Sequence, residues 1–328
     1  MLADEKARKG KANTYGVRVH DRNREANIQA LHDVLKRCDY KTSKYTTFVI
    51  YEPKERVIFR LPYYPDRILH HAVMNILEPI WVSTFIADTC SCVKGRGIGQ
   101  ARKRMQRFMQ DAEGTRYCLK TDIRKFYPTI KHDVLKAIVR RKIKDARLLK
   151  LLDEVIDSAD GLPIGNYMSQ YLSSLYLTYL DHKIKEERRI KYYIRYADDM
   201  VFMSSDKAEL ADTLEWLKKE LVSLGVELKG NEQIFPIADN RYGKGRGVDF
   251  VGFVFYHHQT LIRKSIKKAF ARKCAYLNKK GIHGKPYKMA VASWLGWAKY
   301  SDSYNLLNNL TQYHYEKGHL FRPARKVG

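Results

Sequence analysis

Residues 192–205, YYIRYADDMVFMSS, place two adjacent carboxylates, Asp198 and Asp199, inside an apolar and aromatic stretch. Successive side chains of a β-strand point to opposite faces, so two neighbours cannot face the same way in mid-strand. The pattern therefore predicts two strands joined by a tight turn at the carboxylates. Like charges among buried residues are costly unless a cation lies beside them. The segment favours a divalent metal held by oxygen ligands, and the alternative is a solvated turn between surface strands.

A third carboxylate, Asp122, follows an apolar strand pattern in CLKTDIRKFYPTI, residues 118–130, and precedes Phe126 and Tyr127. A single aspartate at the end of a strand is usually a cap. Two metal ions bridged by Asp122 and Asp198 would activate a 3′-hydroxyl and stabilise a pyrophosphate leaving group. The strand-end aspartate and the later pair together form the pattern of a polymerase palm.

The charge of the chain indicates a polyanionic partner. It contains 61 Lys and Arg against 36 Asp and Glu, a net charge of +25 in 328 residues. Such an excess in a folded protein most often faces nucleic acid, although ribosome-associated and membrane-surface proteins show the same balance. The 23 tyrosines strengthen nucleic acid, because aromatic rings among basic side chains stack on bases and sugars.

The five cysteines are an odd number without a CxxC pair, so neither a disulfide framework nor a zinc ribbon is predicted. We expect a reducing, cytoplasmic location and structural roles for Cys90 and Cys92. No apolar stretch reaches membrane-spanning length, so no membrane partner is expected. His70 and His71 lie in an apolar helical pattern and are interpreted as structural.

Hydrophobic periodicity predicts both helices and strands along the chain. Alternation about a Pro-Lys-Glu turn predicts a hairpin at 46–62, and short strands are expected around Val226 and at 249–256. Helices are predicted near 21–36, from Pro65, and at 99–112, 132–158, 166–187, 207–224 and beyond 262. Composition divides the chain into a basic, partly helical extension at 1–45, a body at 46–260 and a basic helical segment at 261–328.

Three segments occur in the order found in reverse transcriptases. TDIRKFYPTI at 121–130 resembles their motif A, GLPIGNYMSQYLSSLYL at 161–177 motif B, and YADD at 196–199 motif C. Upstream, RLPYYPDRILHHAVMNILEPI resembles the fingers segment of bacterial reverse transcriptases, and VDFVGFVFY resembles the primer-grip strand. The resemblance covers roughly residues 46–256. It implies an α+β, right-hand polymerase fold, with interleaved fingers and palm, an antiparallel palm sheet and then a helical thumb.

The resemblance also implies the reaction and its metal. A member of this family is an RNA-directed DNA polymerase with two Mg²⁺ ions, for which Mn²⁺ can substitute. Its catalytic residues would be Asp122, Asp198 and Asp199. The ions would be held by these carboxylates and by the backbone carbonyl of Ile123, with Asp199 as the less direct ligand.

The incoming dNTP is assigned to a second group of residues by the same resemblance. These are Lys54, Arg56, Lys125, Phe126, Tyr127, Ile164, Gly165 and Gln170. Arg56 would grip the triphosphate, because a guanidinium pairs with phosphate in a fixed fork, and Lys54 would assist. The backbone amides of Lys125 and Phe126 would meet the phosphates. Tyr127 would exclude ribonucleotides by occupying space at the sugar 2′-position.

Motif B indicates which subfamily of reverse transcriptases the chain resembles. Most reverse transcriptases have Gln-Gly followed by Ser-Pro, whereas this chain has Ile164-Gly165 followed by Ser169-Gln170. This form resembles the reverse transcriptases of diversity-generating retroelements, which copy a template RNA and misincorporate opposite adenine. A Gln at position 164 could orient the incoming nucleotide by a hydrogen bond, whereas Ile offers only packing.

The C-terminal segment explains much of the positive charge. Asp302 and Glu316 are its only acids after Asp249. Six basic residues recur at helical spacing and are predicted to contact the backbone of the template–primer duplex. They are Arg263, Lys264, Lys267, Lys268, Arg272 and Lys273.

One motif departs from the family. Many of these polymerases have a lysine in motif D that protonates pyrophosphate, but this chain has Glu232 and Gln233 where that lysine is expected. Lys229 is near, and the sequence does not assign it general-acid catalysis.

The retroelement resemblance implies four kinds of partner: the template RNA, the cDNA/RNA duplex, dNTPs, and a small, basic, oligomeric accessory variability protein. Two alternatives stay open at this point. One is a group II intron-like or antiviral-defence reverse transcriptase. The other is a catalytically idle RNA-binding protein on a polymerase fold, which the intact aspartates count against.

Overall fold

The computed structural model describes residues 1–51 and 54–311, together with the backbone of two short strands beyond them. Fourteen α-helices lie in this part of the chain. They are α1 Leu2–Arg8, α2 Tyr15–Asp21, α3 Arg24–Arg37, α4 Ile68–Val82, α5 Ile98–Met109, α6 Phe126–Thr129, α7 His132–Lys142, α8 Ala146–Ile156, α9 Tyr167–Tyr176, α10 Thr178–His182, α11 Lys207–Ser223, α12 Lys264–Lys279, α13 Gly284–Ala298 and α14 Tyr304–Leu310.

The strands form four sheets. They are β1 Thr46–Ile50, β2 Arg56–Arg60, β3 Thr89–Cys90, β4 Tyr117–Asp122, β5 Tyr192–Tyr196, β6 Asp199–Ser204, β7 Gln233–Pro236, β8 Val248–Phe250, β9 Phe253–Phe255, β10 Thr260–Ile262, β11 Tyr313–Glu316 and β12 His319–Pro323. The largest sheet has the order β3-β5-β6-β4-β7. The other sheets are β1-β2, β10-β9-β8 and β11-β12. The expectation of an antiparallel palm sheet needs one correction, because β3 pairs with β5 in parallel while β4 and β7 are antiparallel.

The chain divides into two compact units. The first comprises Met1–Gly97, Thr121–Met200 and Asp212–Glu232, and the second comprises Ile98–Lys120, Val201–Ala211 and the chain from Gln233 onward. These units cut across the three parts expected from composition, whose boundaries near residues 45 and 260 remain predictions.

The core of the first unit includes the apolar side of α4. Leu69, Leu77 and Trp81 on this helix are fully buried, and so is Tyr176 at the end of α9. Burying side chains of this size supplies the main driving force for folding. The motif-bearing segments in this unit therefore rest on a closely packed core.

The second unit has its own core under α12. Phe270 and Cys274 of α12 pack with Tyr287, Val291 and Leu295 of α13, and all five are buried. The opposite side of α12 is solvated, so the helix presents an apolar and a basic face.

Most predicted elements are present. The hairpin at 46–62 is β1 and β2, paired in register from Thr46 with Arg60 to Ile50 with Arg56. Its predicted turn includes Pro53, which lies outside the described residues. The helix predicted from Pro65 begins at Ile68, after a π-type turn at Tyr63–Arg67.

Three predictions of secondary structure are wrong in part. The helix expected at 132–158 divides into α7 and α8. The helix expected at 166–187 divides into α9, α10 and a π-type turn at Lys183–Glu187. No strand forms at Val226, since in this region only Leu228 makes an isolated bridge, to Ile123. Local periodicity did not show these interruptions because tertiary contacts set them.

The N-terminal extension is more structured than its polar composition suggests. Asp4 of α1 is fully buried and accepts hydrogen bonds from Tyr63 at 2.5 Å and Arg24 at 2.7 Å. Burial acts to raise the pKa of Asp4, but these hydrogen bonds and the charge of Arg24 lower it overall. The buried carboxylate therefore ties the extension to the segment before α4.

No helix among the described residues is both long enough and apolar enough to cross a membrane.

Candidate active site

The strand–turn–strand prediction for the two aspartates is confirmed. β5 ends at Tyr196, β6 begins at Asp199, and Ala197 and Asp198 form the turn between them. Ala197 has a φ of 56°, in the left-handed region that non-glycine residues rarely adopt. Residues on both strands are buried, so the turn rests on a rigid core and Asp198 is only half-buried.

A buried ion pair lies under this turn. Arg195 and Asp181 have no solvent exposure, and the guanidinium Nε donates to the carboxylate at 2.8 Å. A second nitrogen of Arg195 donates to the carbonyl of Ala197 at 2.9 Å, and a third reaches the carbonyl of Ser174 at 3.2 Å. Burial opposes the charge of Arg195, but the adjacent carboxylate outweighs this and raises its pKa. Arg195 therefore holds the backbone of the turn directly before Asp198.

Two further donors satisfy the carboxylate of the pair. Tyr193 donates to Asp181 at 2.6 Å and Thr89 donates at 2.8 Å. A buried ion pair is tolerated only when its remaining hydrogen-bonding positions are filled. These contacts link α10, β5 and the short strand β3 beneath the turn.

Asp122 and Asp198, the two aspartates predicted to bridge the metal ions, lie next to each other in the structure. Asp122 is the last residue of β4 and is half-buried. Burial raises the pKa of Asp198, and the charge of Asp122 and a hydrogen bond between the two carboxyl groups raise it further. Two carboxylates this close cannot both ionise easily without a neighbouring cation.

Lys229 is one cation that lies beside the pair of carboxyl groups. Lys229 Nζ lies 3.1 Å from Asp122 Oδ2, and its backbone amide donates to the Asp122 carbonyl at 2.9 Å. The hydrogen bond and charge of Asp122 raise the pKa of Lys229. No catalytic role was predicted for this lysine from the sequence. Its position depends on the pairing of residues 227–229 with 122–124, which no local pattern indicates.

The donors fit a divalent cation. The amide of Arg124 donates to the Glu227 carbonyl at 2.9 Å, and the amide of Lys229 donates to the Asp122 carbonyl at 2.9 Å. These two hydrogen bonds lie on either side of Ile123, and neither involves the Ile123 carbonyl, which is a predicted metal ligand. Asp199 begins β6 and is half-buried. Within residues 1–51 and 54–311, no three His, Cys, Asp or Glu side chains are grouped as a ready-made metal site. The fit rests on the Asp122–Asp198 pair, whose repulsion a hard cation with oxygen ligands would relieve.

The two side chains predicted to grip the triphosphate, Arg56 and Lys54, lie on the β1–β2 hairpin, which is called the finger hairpin below. Arg56 is the first residue of β2 and is exposed, and its charge opposes part of the rise in the pKa of both Asp198 and Tyr127. Lys54 is also exposed and lies beside Lys229. The structure therefore brings the predicted phosphate-binding cations to the carboxylate pair.

Tyr127, which is predicted to exclude ribonucleotides and is called the sugar gate below, is held in a defined orientation. Ser173 donates to the Tyr127 hydroxyl at 3.1 Å, and the ring packs edge-on against Phe126. Burial of the hydroxyl raises the pKa of Tyr127 to about 12, and the charge of Asp198 contributes. Lys125, with a φ of 44°, makes the sharp bend before α6, and the Phe126 side chain is buried.

Motif B lies against the same hairpin. The Ile164 carbonyl accepts a hydrogen bond from the Phe59 amide at 2.8 Å. Gly165 has a φ of 117°, and a Cβ there would lie 2.5 Å from the Phe59 carbonyl oxygen, so this close approach requires glycine. Gln170 is exposed on α9. The backbone at position 164 is therefore fixed.

The structure gives the surroundings of the six basic residues predicted to contact the duplex. Lys264, Lys267, Lys268 and Arg272 are exposed on α12, as expected. Arg263 precedes the helix and forms an ion pair with Asp249 at 2.6 Å, in which both side chains remain partly exposed. Lys273 is only half-exposed and lies 5.5 Å from the ring of Tyr276, on the flank of the buried face.

The structural interpretation of the two histidines agrees with their surroundings. Burial lowers the pKa of His70 and of His71 to about 4, so both are neutral at physiological pH. His71 stacks on Tyr167 at 4.3 Å between ring centroids.

Comparison with known proteins identifies a common family. A family model described as "Reverse transcriptase (RNA-dependent DNA polymerase)" matches residues 51–234. Protein YkfC of Escherichia coli (strain K12) is 28% identical over 153 residues, which are 42% of this chain and 40% of that protein. Retron Ec73 reverse transcriptase of Escherichia coli is 26% identical over 200 residues, 56% of this chain and 62% of that protein. The chain thus spans less than two thirds of the length of each relative.

A solved structure has the same fold. The telomerase of Candida Tropicalis, in complex with a TWJ fragment of telomeric RNA, aligns with a TM-score of 0.52 at 11% identity, over 82% of this chain and 55% of that chain. An identity this low shows the fold alone. The expected α+β, right-hand polymerase architecture is confirmed.

The buried ion pair makes a testable contribution to stability. We expect Arg195→Met to lower the free energy of unfolding by about 3–5 kcal/mol, because Asp181 would keep an unpaired buried charge. Adding Asp181→Leu should cost less than the sum of the single changes. Arg188→Met, which breaks a more exposed pair with Asp212, is the control and should cost at most about 1 kcal/mol. Urea unfolding measures all four, and strictly additive effects would contradict the coupling.

Proposed function

Because this chain belongs to the reverse transcriptase (RNA-dependent DNA polymerase) family, we propose that it extends a DNA primer by copying an RNA template. The observation that carries the proposal is the close Asp122–Asp198 carboxyl pair, next to Arg56 and Tyr127. In the reaction, the primer 3′-hydroxyl oxygen bonds to the α-phosphorus of a dNTP, its proton leaves, and the bond to pyrophosphate breaks.

Two Mg²⁺ ions, or Mn²⁺ in their place, would be held by Asp122, the Ile123 carbonyl, Asp198 and Asp199. When bound, such ions supply charge stabilisation for the attacking and leaving oxygens. Lys229 reduces the negative charge at Asp122 and keeps that carboxylate oriented. Arg195 keeps the Asp198 turn in place from below.

The remaining residues position the nucleotide. Arg56 and Lys54 approach the triphosphate from the finger hairpin, and the backbone at Lys125 and Phe126 faces its phosphates. Tyr127 stands at the sugar, and Ile164, Gly165 and Gln170 lie along the base pair being formed. The exposed cations of α12 contact the backbone of the cDNA/RNA duplex, with the salt dependence that such contacts bring.

The finer proposal is an error-prone polymerase of a diversity-generating retroelement. It is supported by the IGxxxSQ form of motif B and by the fixed backbone at Ile164, which leaves an apolar side chain with no hydrogen bond to offer. The RNA partner is supported by the RNA-bound telomerase of the same fold. A small, basic, oligomeric accessory protein completes the proposal by resemblance. Five free cysteines and relatives in Escherichia coli support a bacterial or phage-encoded protein of the cytoplasm.

A second candidate within the family is a retron-type, antiviral-defence or intron-type reverse transcriptase. The match to a retron reverse transcriptase over 62% of its length favours it. Both candidates share the polymerase reaction and differ in fidelity opposite adenine.

Primer extension on an RNA template tests the reaction. We expect Asp198→Asn to reduce extension by at least about 100-fold, since the substitution removes a carboxylate that holds the ions. Asp160→Asn, at an exposed site, is the control and should extend normally.

The same variant separates catalysis from stability. The pKa of Asp198 is raised in the folded chain. Between the ordinary pKa of a carboxyl group and this raised pKa, the folded chain therefore binds more protons than the unfolded chain. Stability falls as the pH rises through that range. Without metal, Asp198→Asn should lack this loss and be at least as stable as wild type at neutral pH. Wild-type extension by the variant would contradict the site, and a collapse of its stability would contradict the electrostatic argument.

The sugar gate has its own test. Tyr127→Ala should raise the ratio of ribonucleotide to deoxynucleotide incorporation on the order of tenfold or more, because it opens space for a 2′-hydroxyl. Tyr127→Phe keeps the ring and loses only the contact with Ser173, so discrimination should persist. Single-nucleotide incorporation with each substrate measures both. Equal ratios in wild type and Tyr127→Ala would leave Tyr127 as a packing residue.

Fidelity tests the subfamily. One hydrogen bond contributes roughly 0.5–1.5 kcal/mol, and about 1.4 kcal/mol corresponds to a factor of ten. Ile164→Asn should therefore lower misincorporation opposite template adenine by up to about tenfold, and more than opposite the other bases. Ile164→Leu is the apolar control and should keep the wild-type pattern. Sequencing of the cDNA measures misincorporation, with the accessory protein supplied where it is required. Faithful copying of adenine by wild type would favour the second candidate.

A further inference from the structure

A glycine-rich, positively charged loop joins β7 to β8 in the second unit. Its residues 240–247, NRYGKGRG, contain three cations, one tyrosine and three glycines, and no acid. Segments rich in arginine and glycine, together with aromatic side chains, bind single-stranded nucleic acid. We call residues 240–247 the basic loop. None of the residues assigned above to catalysis, to the nucleotide or to the duplex lies in it.

The basic loop has a fixed backbone. The amide of Arg246 donates to the Pro236 carbonyl at 2.9 Å, so the loop closes on the last residue of β7. Gly245 has a φ of 114°, and a Cβ there would lie 2.7 Å from the Pro236 carbonyl oxygen, so this position requires glycine. At the tip, the amide of Tyr242 donates to the side-chain oxygen of Asn240 at 2.9 Å. A loop that is already ordered loses less entropy when a ligand binds.

The tip of the basic loop holds an aromatic ring in the solvent. Tyr242 is 80% exposed. The guanidinium of Arg241 lies over this ring, 4.4 Å from its centroid, and donates to its hydroxyl. Because the guanidinium covers one face of a ring that is otherwise exposed, the opposite face is open to a flat partner. Any unpaired base can stack there, whereas the bases inside a duplex already stack on each other.

A cavity adjoins the base of the basic loop. It has a volume of about 580 Å³, which is enough for one nucleotide. Its lining includes Ile237 and Asp239, directly before the loop, and Arg116 and Tyr117, at the start of β4. The guanidinium of Arg116 lies 6.0 Å from the ring centroid of Tyr117. A second pair of a cation and an aromatic ring therefore lies beside the first.

Four cations at the loop and the cavity are exposed and form no ion pair with a carboxylate among the described residues. They are Arg116, Arg241, Lys244 and Arg246. Arg246 is engaged within the loop, since it donates to the Gln233 side chain at 2.6 Å. The other three are available to phosphates, whose neutralisation supplies much of the affinity of a protein for nucleic acid.

Two acids at the cavity favour RNA over DNA. Glu113 and Asp239 line the cavity, and the Asp239 side chain is 65% exposed. Carboxylates repel phosphates but accept hydrogen bonds from hydroxyl groups. The ribose 2′-hydroxyl is such a donor, and DNA lacks it.

The cavity lies at the end of the β4 and β6 strands that is away from the catalytic aspartates. β4 begins at Tyr117 and ends at Asp122, and at about 3.3 Å per residue these two residues are roughly 17 Å apart. β6 begins at Asp199, and Ser205, directly after its end, lines the cavity. A strand bound here is therefore separate from the primer end at the carboxylates.

We propose that the basic loop and its cavity bind an unpaired stretch of RNA that lies outside the template–primer duplex. One base stacks on Tyr242 and another lies against Tyr117, while the phosphates contact Arg116, Arg241 and Lys244. This RNA-binding surface goes beyond the proposed polymerase function and does not depend on it.

Binding without divalent metal, with the polymerase site filled, tests the surface. The probe is a fluorescein-labelled twelve-nucleotide RNA without secondary structure, measured by anisotropy in the presence of saturating, unlabelled, blunt RNA–DNA duplex. We expect wild type still to bind this RNA, and to bind DNA of the same sequence at least about threefold more weakly. Tyr242→Ala should weaken RNA binding about tenfold because a stacked base is lost, whereas Tyr242→Phe keeps the ring and the affinity.

Matched variants control for general surface effects. Tyr15→Ala removes a tyrosine of α2 that is 76% exposed, and should leave RNA binding unchanged. Arg241→Ala/Lys244→Ala removes two phosphate contacts and should reduce the slope of log affinity against log salt by about 1.4. Lys142→Ala/Lys219→Ala, at exposed positions in other parts of the chain, should keep the wild-type slope. Thermal unfolding should be the same for all of these variants, because every replaced side chain is exposed.

Two results would overturn the proposal. One is complete displacement of the RNA by the blunt duplex, since a single site would then bind both. The other is an equal loss of RNA binding in Tyr242→Ala and Tyr15→Ala. Equal binding of DNA and RNA would overturn the assignment to RNA. The polymerase function fails separately: a wild type that binds RNA through Tyr242 but never extends a primer would contradict that function and leave the RNA-binding surface standing.

Discussion

The ion pair of Arg195 and Asp181 is the contact on which the site depends. Both groups are fully buried, so their charges must be satisfied completely, and four elements supply the partners. The geometry that satisfies them also brings a guanidinium nitrogen to the Ala197 carbonyl. The turn that carries Asp198 is thereby tied to two fully buried side chains. A pair of this kind adds little net stability but permits very few alternative arrangements.

At the two carboxyl groups of Asp122 and Asp198, the electrostatics are unfavourable. Burial and the neighbouring charge of Asp122 both raise the pKa of Asp198, so the fold disfavours the charged form of this carboxyl group. Lys229 and Arg56 offset only part of this cost. Such strain is expected where a site must bind cations, because the ions return the energy when they bind. The low pKa values of His70 and His71 have a different origin, since burial alone dominates them.

The sequence predicted the site better than its surroundings. The aspartates, Tyr127 and Ile164 were found because they lie in segments whose residues and order resemble the motifs of the family. Lys229 was not identified, because its position depends on pairing with a segment more than a hundred residues away. Helical spacing alone also did not show that Arg263 pairs with Asp249, or that Lys273 is only half-exposed and lies beside the ring of Tyr276.

By itself, the sequence determined the order of the motifs, the strand–turn–strand around the two aspartates, and the excess of positive charge, since these follow from local periodicity and composition. Only the tertiary structure decided which cations meet which carboxylates, how the polar N-terminal extension is anchored through Asp4, and that its Lys11 shares a pocket with His70 and Gly165. The physical reason is that these contacts join residues far apart in the chain. Their energies depend on burial and on the distance between charges, neither of which exists until the chain has folded.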